Sequence, residues 1–138
     1  MDLNLIGLAS AAGTFFGVWI GHVSVRKIER EVEHIWIPST IAFLLGLGME
    51  LVSLWTSGPV LSTICGIVGV TLLWDALEFY RQQKRIMKGH APANRNNPRH
   101  ARILATHPEA TTLDWLARDP RDVPYSIEEL DLMKERTA

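Results

Sequence analysis

The sequence predicts an all-α integral membrane protein with three transmembrane helices. Two observations carry this. Charge is missing from three long stretches. The 23 residues between Asp2 and Arg26, the 16 from His34 to Met49 and the 24 between Glu50 and Asp75 hold no Asp, Glu, Lys or Arg. A water-soluble helix must present a polar face, and these stretches supply none. Each segment is also long enough, since a hydrocarbon core of about 30 Å takes ~20 helical residues. Helix is the required state, because lipid offers no partner to a free peptide group.

The first segment, Leu3 to Val25, has 14 apolar residues in 23 and no charge. No basic residue precedes it and several follow it, the reverse of a cleaved signal peptide, so it reads as a retained anchor. Val25 to Glu31 reads as a short charged link. The second segment, Ile35 to Trp55, has 14 apolar residues in 21 and one charge, Glu50. Pro38 falls in its first turns, where a missing N–H costs least. Thr56-Ser57-Gly58-Pro59 is a tight turn. The third segment, Pro59 to Tyr80, has 14 apolar residues in 22, with Asp75 and Glu78 near its end. It should continue as a basic stem to Lys88 and stop at Gly89.

Lys and Arg counts set the expected orientation. Arg26, Lys27 and Arg30 lie in the first link, none in the second, and Arg81, Lys84, Arg85 and Lys88 follow the third segment. The N-terminus is therefore expected outside, and the stem and tail in the cytoplasm. Trp36, Trp74 and Tyr80 then fall at the inner interface and Trp55 at the outer one. A cysteine at Ser57 should react with an impermeant thiol reagent on intact cells, and one at Ala101 should not. Labelling at Ala101 alone overturns the orientation.

Residues 1–89 thus form a transmembrane domain with its stem, and residues 90–138 a tail. From Phe79 to Pro108 there are seven basic residues and no acidic one, whereas Glu109 to Ala138 holds eight acidic and four basic. Arg81, Lys84, Arg85 and Lys88 are expected to contact anionic lipid headgroups. Without interleaved aromatics or a recognisable module, nucleic acid is not an expected partner. Residues 91–98 read as extended and turn-rich. Beyond them two short helices are expected. One is a turn capped by Thr111 or Thr112 through Leu113, Trp115 and Leu116. The other opens with the capping box Ser126-Ile127-Glu128-Glu129.

Ala9, Gly13, Gly17 and Gly21 repeat every four residues and make a flat helix-packing face. It could pack within the chain or against a second chain, and the sequence leaves both open. Ionisable groups inside a bilayer are costly, so His22, Arg26, Lys27, Asp75 and Glu78 are expected to form an inner polar cluster that fixes packing. Glu50 lies toward the outer end, some 14 residues (~20 Å) of helix from the inner face. Only His22 lies within a span, so haem is not expected. His34, His90, His100 and His107 are not at zinc-ligand spacing, and Cys65 has no partner for a disulfide or a metal site. No nucleophile, metal set or acid–base pair points to an enzyme, and no cofactor is expected.

Gly21-His22-Val23-Ser24-Val25-Arg26-Lys27-Ile28-Glu29 resembles an uncharacterised family of small prokaryotic membrane proteins classed as a domain of unknown function. So does Thr71-Leu72-Leu73-Trp74-Asp75-Ala76-Leu77-Glu78-Phe79-Tyr80-Arg81-Gln82-Gln83-Lys84-Arg85, followed by Lys88-Gly89-His90-Ala91-Pro92-Ala93-Asn94. The resemblance spans about residues 3–117. The family pattern has Pro where this chain has Arg95. The resemblance implies a three-helix fold in the inner membrane of a prokaryote and brings no activity, cofactor or substrate. The expected function is a non-catalytic subunit or oligomerising scaffold, as a homo-oligomer or in a larger membrane complex. The alternative is a small homo-oligomeric ion or proton channel or transporter using Glu50 with His22, Asp75 and Glu78.

Overall fold

The computed structural model describes residues 5–114 and 125–137. Among the described residues five helices follow one another: α1 (Leu5–Glu31), α2 (Trp36–Trp55), α3 (Pro59–Met87), α4 (Pro98–Thr106) and α5 (Ile127–Thr137). The described residues contain no strand. The first three helices are each long and apolar enough to cross a membrane. Large apolar side chains such as Leu44, Leu54, Phe15 and Leu77 stay exposed on their outer faces, as lipid contact requires. The chain is a multi-pass membrane protein. It divides into two compact units, one up to Gln82 and one from Gln83.

The expected charged link after Val25 is helical. α1 runs on to Glu31, because Lys, Arg and Glu are good helix formers and the buried stripe does not stop at Val25. Gly21, Val25 and Glu29 are all buried, continuing the four-residue repeat that starts at Ala9.

In the first unit α3 is the central helix. On α1, a Cβ built at Gly13 would lie 3.6 Å from Ile67, one at Gly17 3.3 Å from the Thr71 hydroxyl, and one at Gly21 2.6 Å from an Asp75 carboxylate oxygen. Both series rise by four, so α1 and α3 run parallel and in register. α2 runs antiparallel to α3. Ser53 and Ser62 exchange hydrogen bonds, each hydroxyl donating to the other's carbonyl at 2.8 and 2.9 Å. Nearer the Trp36 end, Gly46 meets Gly69 and Leu73, and the Ser39 hydroxyl donates to the Ala76 carbonyl at 2.8 Å. These α2 partners and the α1 partners fall on roughly opposite flanks of α3 at ~100° per residue. α1 and α2 meet at the Arg26 end, where Val25, Ile35, Ala42, Ala76 and Phe79 form the core.

The second unit begins with the last turn of α3. Gly89, at φ +68°, ends the helix as expected. Its N–H donates to Ile86 at 3.0 Å and that of His90 to Arg85 at 2.8 Å, a Schellman pair. A Cβ at Gly89 would strike the Glu109 carbonyl. Gly89→Val should therefore loosen this unit, by about 1–2 kcal/mol for the left-handed conformation alone. Proteolysis of membrane vesicles should then cut the tail faster while the three spans stay inserted. An unchanged cleavage rate would count against the cap.

α4 was not expected from the sequence, where Pro98 reads as the end of a turn-rich run. Pro98 instead occupies the first turn of a helix capped by the Asn97 side chain, which accepts the Arg99 N–H at 2.9 Å. The packing here is tight. His100 is fully buried, and its Nδ1 accepts the Asn94 N–H at 2.9 Å. Ile86, Ala91, Ala93 and Ile103 form the core. The capping box opens α5 as expected: Ser126 N–H donates to Glu129 Oε2 at 2.8 Å and Glu129 N–H to Ser126 Oγ at 3.2 Å. Thr111 Oγ1 accepts the Leu113 N–H at 3.1 Å. Trp115 and Leu116 of the other expected turn lie outside the described residues.

Candidate functional site: carboxylates seated on glycine

The sequence places Glu50 and Asp75 inside the apolar segments, each toward one end, and the structure seats each on a glycine of a neighbouring helix. Glu50 of α2 lies over Gly69 of α3, where a Cβ would come within 2.7 Å of Oε1. Asp75 of α3 lies against Gly21 of α1, where a Cβ would meet Oδ2 at 2.6 Å and Oδ1 at 2.8 Å. Only hydrogen at these positions lets a carboxylate fit between backbones this close. The second seat explains why the repeat ends in glycine at residue 21.

Helical side chains lean toward the N-terminus of their own helix. Glu50 therefore leans toward the Trp36 end and Asp75 away from it. Gly69 and Asp75 are only six residues apart, about 9 Å of helix. The long separation expected between Glu50 and the other acids thus shrinks. They do not share a face, however. Gly69 looks toward α2 and Asp75 toward α1.

The expected inner cluster is only partly assembled. Asp75 and Glu78 are buried, but His22, Arg26 and Lys27 are exposed on α1. His22 and Glu78 are the electrostatic neighbours of Asp75. Asp75 makes no hydrogen bond or ion pair with any described residue, and Arg26 pairs with neither acid. Glu78 Oε2 instead accepts from Arg81 Nε at 3.2 Å, one turn along the same helix. The Arg81 guanidinium also lies 5.3 Å over the Trp74 ring. Arg81, Lys84 and Lys88 are exposed along the stem and Arg85 is half-buried.

Glu29 and Gln82, at 1 % and 6 % exposure, are buried polar residues that the sequence reading left out of the site. Glu29 could have been found, because it continues the stripe of Gly21 and Val25. Two open apolar grooves border α1. One, of about 410 Å³, runs between α1 and α3. The other, of about 400 Å³, runs on between α1 and α2. Ser24, Leu72 and Asp75 wall both. Among the described residues no group of three or more His, Cys, Asp or Glu is placed to hold a metal ion.

A family model described as Domain of unknown function (DUF4491) matches residues 4–97. That is more than half of the chain, and the chain belongs to this family. No curated protein matches it, and no solved structure matches it.

Proposed function

We propose that this member of the DUF4491 family is a non-catalytic membrane scaffold, a small subunit that holds other membrane helices together. The observation that carries this is where its intramembrane polar groups go. The Ser39, Ser53 and Ser62 hydroxyls donate to carbonyls of the neighbouring helix, and that of Thr71 to a carbonyl of its own helix. Glu50 and Asp75 lie against glycines where two helices cross. Polar groups used this way position helices rather than react. Among the described residues no acid–base pair or nucleophile–base contact stands beside either groove, which favours this reading over an enzyme.

The channel reading is favoured less. A single file of carboxylates needs one lined face, and these two acids sit on opposite flanks of α3. In the proposed setting the basic stem rests on anionic headgroups at the cytoplasmic face of a prokaryotic inner membrane, each basic residue adding about 1 kcal/mol.

The test is sizing and composition of the protein extracted in mild detergent. The expected result is an assembly, either of several copies or with co-purifying chains. A bare monomer overturns the scaffold. Proton or cation flux into proteoliposomes above that of empty vesicles favours the channel instead.

A further inference from the structure

Resting on the scaffold reading, we infer that a second copy of this chain covers the groove beside α1 and supplies Asp75 with a cationic partner, Arg26. Asp75 is 8 % exposed and makes no hydrogen bond or ion pair with any described residue. It nevertheless walls both apolar grooves. His22 of the same chain acts on it electrostatically without a hydrogen bond or ion pair, so a buried carboxylate facing an open apolar groove in a membrane still calls for a partner that brings positive charge into contact with it.

The chain itself carries that partner on its other flank. The stripe Gly13, Gly17, Gly21, Val25 faces inward. One position before it stand Ala12, Phe16, Ile20 and Ser24, which wall the groove next to α3. One position after it, about 100° around the other way, stand Thr14, Val18, His22 and Arg26, all exposed. This second flank is small or β-branched along its length and cationic at one end. Copies inserted in the same direction hold it at the same depth as the groove. His22 then stands level with Gly21 and so with Asp75. Arg26 is one turn further on, and its side chain leans back toward the helix N-terminus, which brings the guanidinium to the carboxylate. The contact is head-to-tail: the Arg26 flank of one copy enters the groove of the next. Repeated, it closes into a ring when the rotation allows.

Register supplies the test. Gly13 meets Ile67, so Thr14 and Val68 stand at one depth, on the docking flank and in the groove respectively. In a Cys65→Ala background, Thr14→Cys/Val68→Cys should give a ladder of disulfide-linked oligomers in native membranes under mild oxidant. Each single-cysteine chain should stay unlinked. Linking of Thr14→Cys to itself means a face-to-face contact and overturns the proposal. Absence of the ladder from a chain that still sizes as an assembly overturns this interface and leaves the scaffold reading standing. Absence of both ladder and assembly overturns the two together. Arg26→Gln is exposed in the single chain, so it should spare the fold. It should weaken association about tenfold on dilution in detergent, as should Asp75→Asn. If Arg26→Gln leaves association unchanged, the charge pairing is wrong.

Discussion

Gly46→Leu should remove most of the protein from the membrane fraction, whereas Gly48→Leu, two residues along the same helix, should leave its level and melting temperature as they are. A Cβ at Gly46 would lie 2.9 Å from the Gly69 carbonyl oxygen, the Leu73 nitrogen and Leu73 Cγ. Two of those atoms are backbone in the middle of α3 and cannot swing aside. The α2–α3 hairpin must open to admit the side chain, and the seam from Ser39 to Ser62 opens with it. Overpacking costs about 1–3 kcal/mol even where a core yields, and a leucine at this crossing exceeds that. Nothing lies within 4 Å of a Cβ at Gly48, so leucine there gains helix propensity and faces lipid. The comparison cancels the shared effects of losing a glycine and adding apolar surface. Equal losses for both variants would show that Gly46 is not the crossing point.

What the sequence made legible follows from which physical signal each feature leaves. Three spans leave a signal tens of residues long, because charge is costly in lipid over that distance, and all three are legible. The stop at Gly89 and the capping box at Ser126 were legible because each rests on local backbone geometry. The small-residue face of α1 was legible as a face, but not its partner: Ala9, Gly13, Gly17 and Gly21 fit any close helix. Only the matching rise of Ile67, Thr71 and Asp75 shows that α3 takes it. The extension of α1 to Glu31 was hidden by reading charge as a link, when charge marks only the edge of the lipid. α4 was hidden because Asn97-Pro98 opens a helix as readily as it closes a turn. Arg26 of the expected polar cluster stands exposed in the single chain for a related reason. Helical spacing places Arg26 near the depth of Asp75 but does not say on which flank of α1 it stands, and one residue's offset from the stripe turns it away.

The seat of Asp75 gives the second large effect. Gly21→Ala should lower the melting temperature of the isolated chain, and Asp75→Ala in the same molecule should restore it. An alanine Cβ at residue 21 would stand 2.6 and 2.8 Å from the two carboxylate oxygens and 3.1 Å from the carbon between them, so the whole carboxyl group, not one oxygen, must turn away into the apolar groove that it walls. The helices part or the carboxylate is forced aside, at a cost of about 1–3 kcal/mol. Asp75→Ala alone should be close to neutral in a single chain. Its removal leaves no buried cation behind, because both His22, its electrostatic neighbour, and Arg26 are exposed. The two substitutions together place alanine against alanine at a crossing that tolerates small residues. Their effects should then fail to add by most of the Gly21→Ala penalty, as contacting residues do. Melting at high detergent dilution, where copies are separated, reads the fold apart from association. Simple additivity would mean that Gly21 and Asp75 do not touch. A marked loss from Asp75→Ala alone would mean that the carboxylate holds the chain together rather than waiting for a partner.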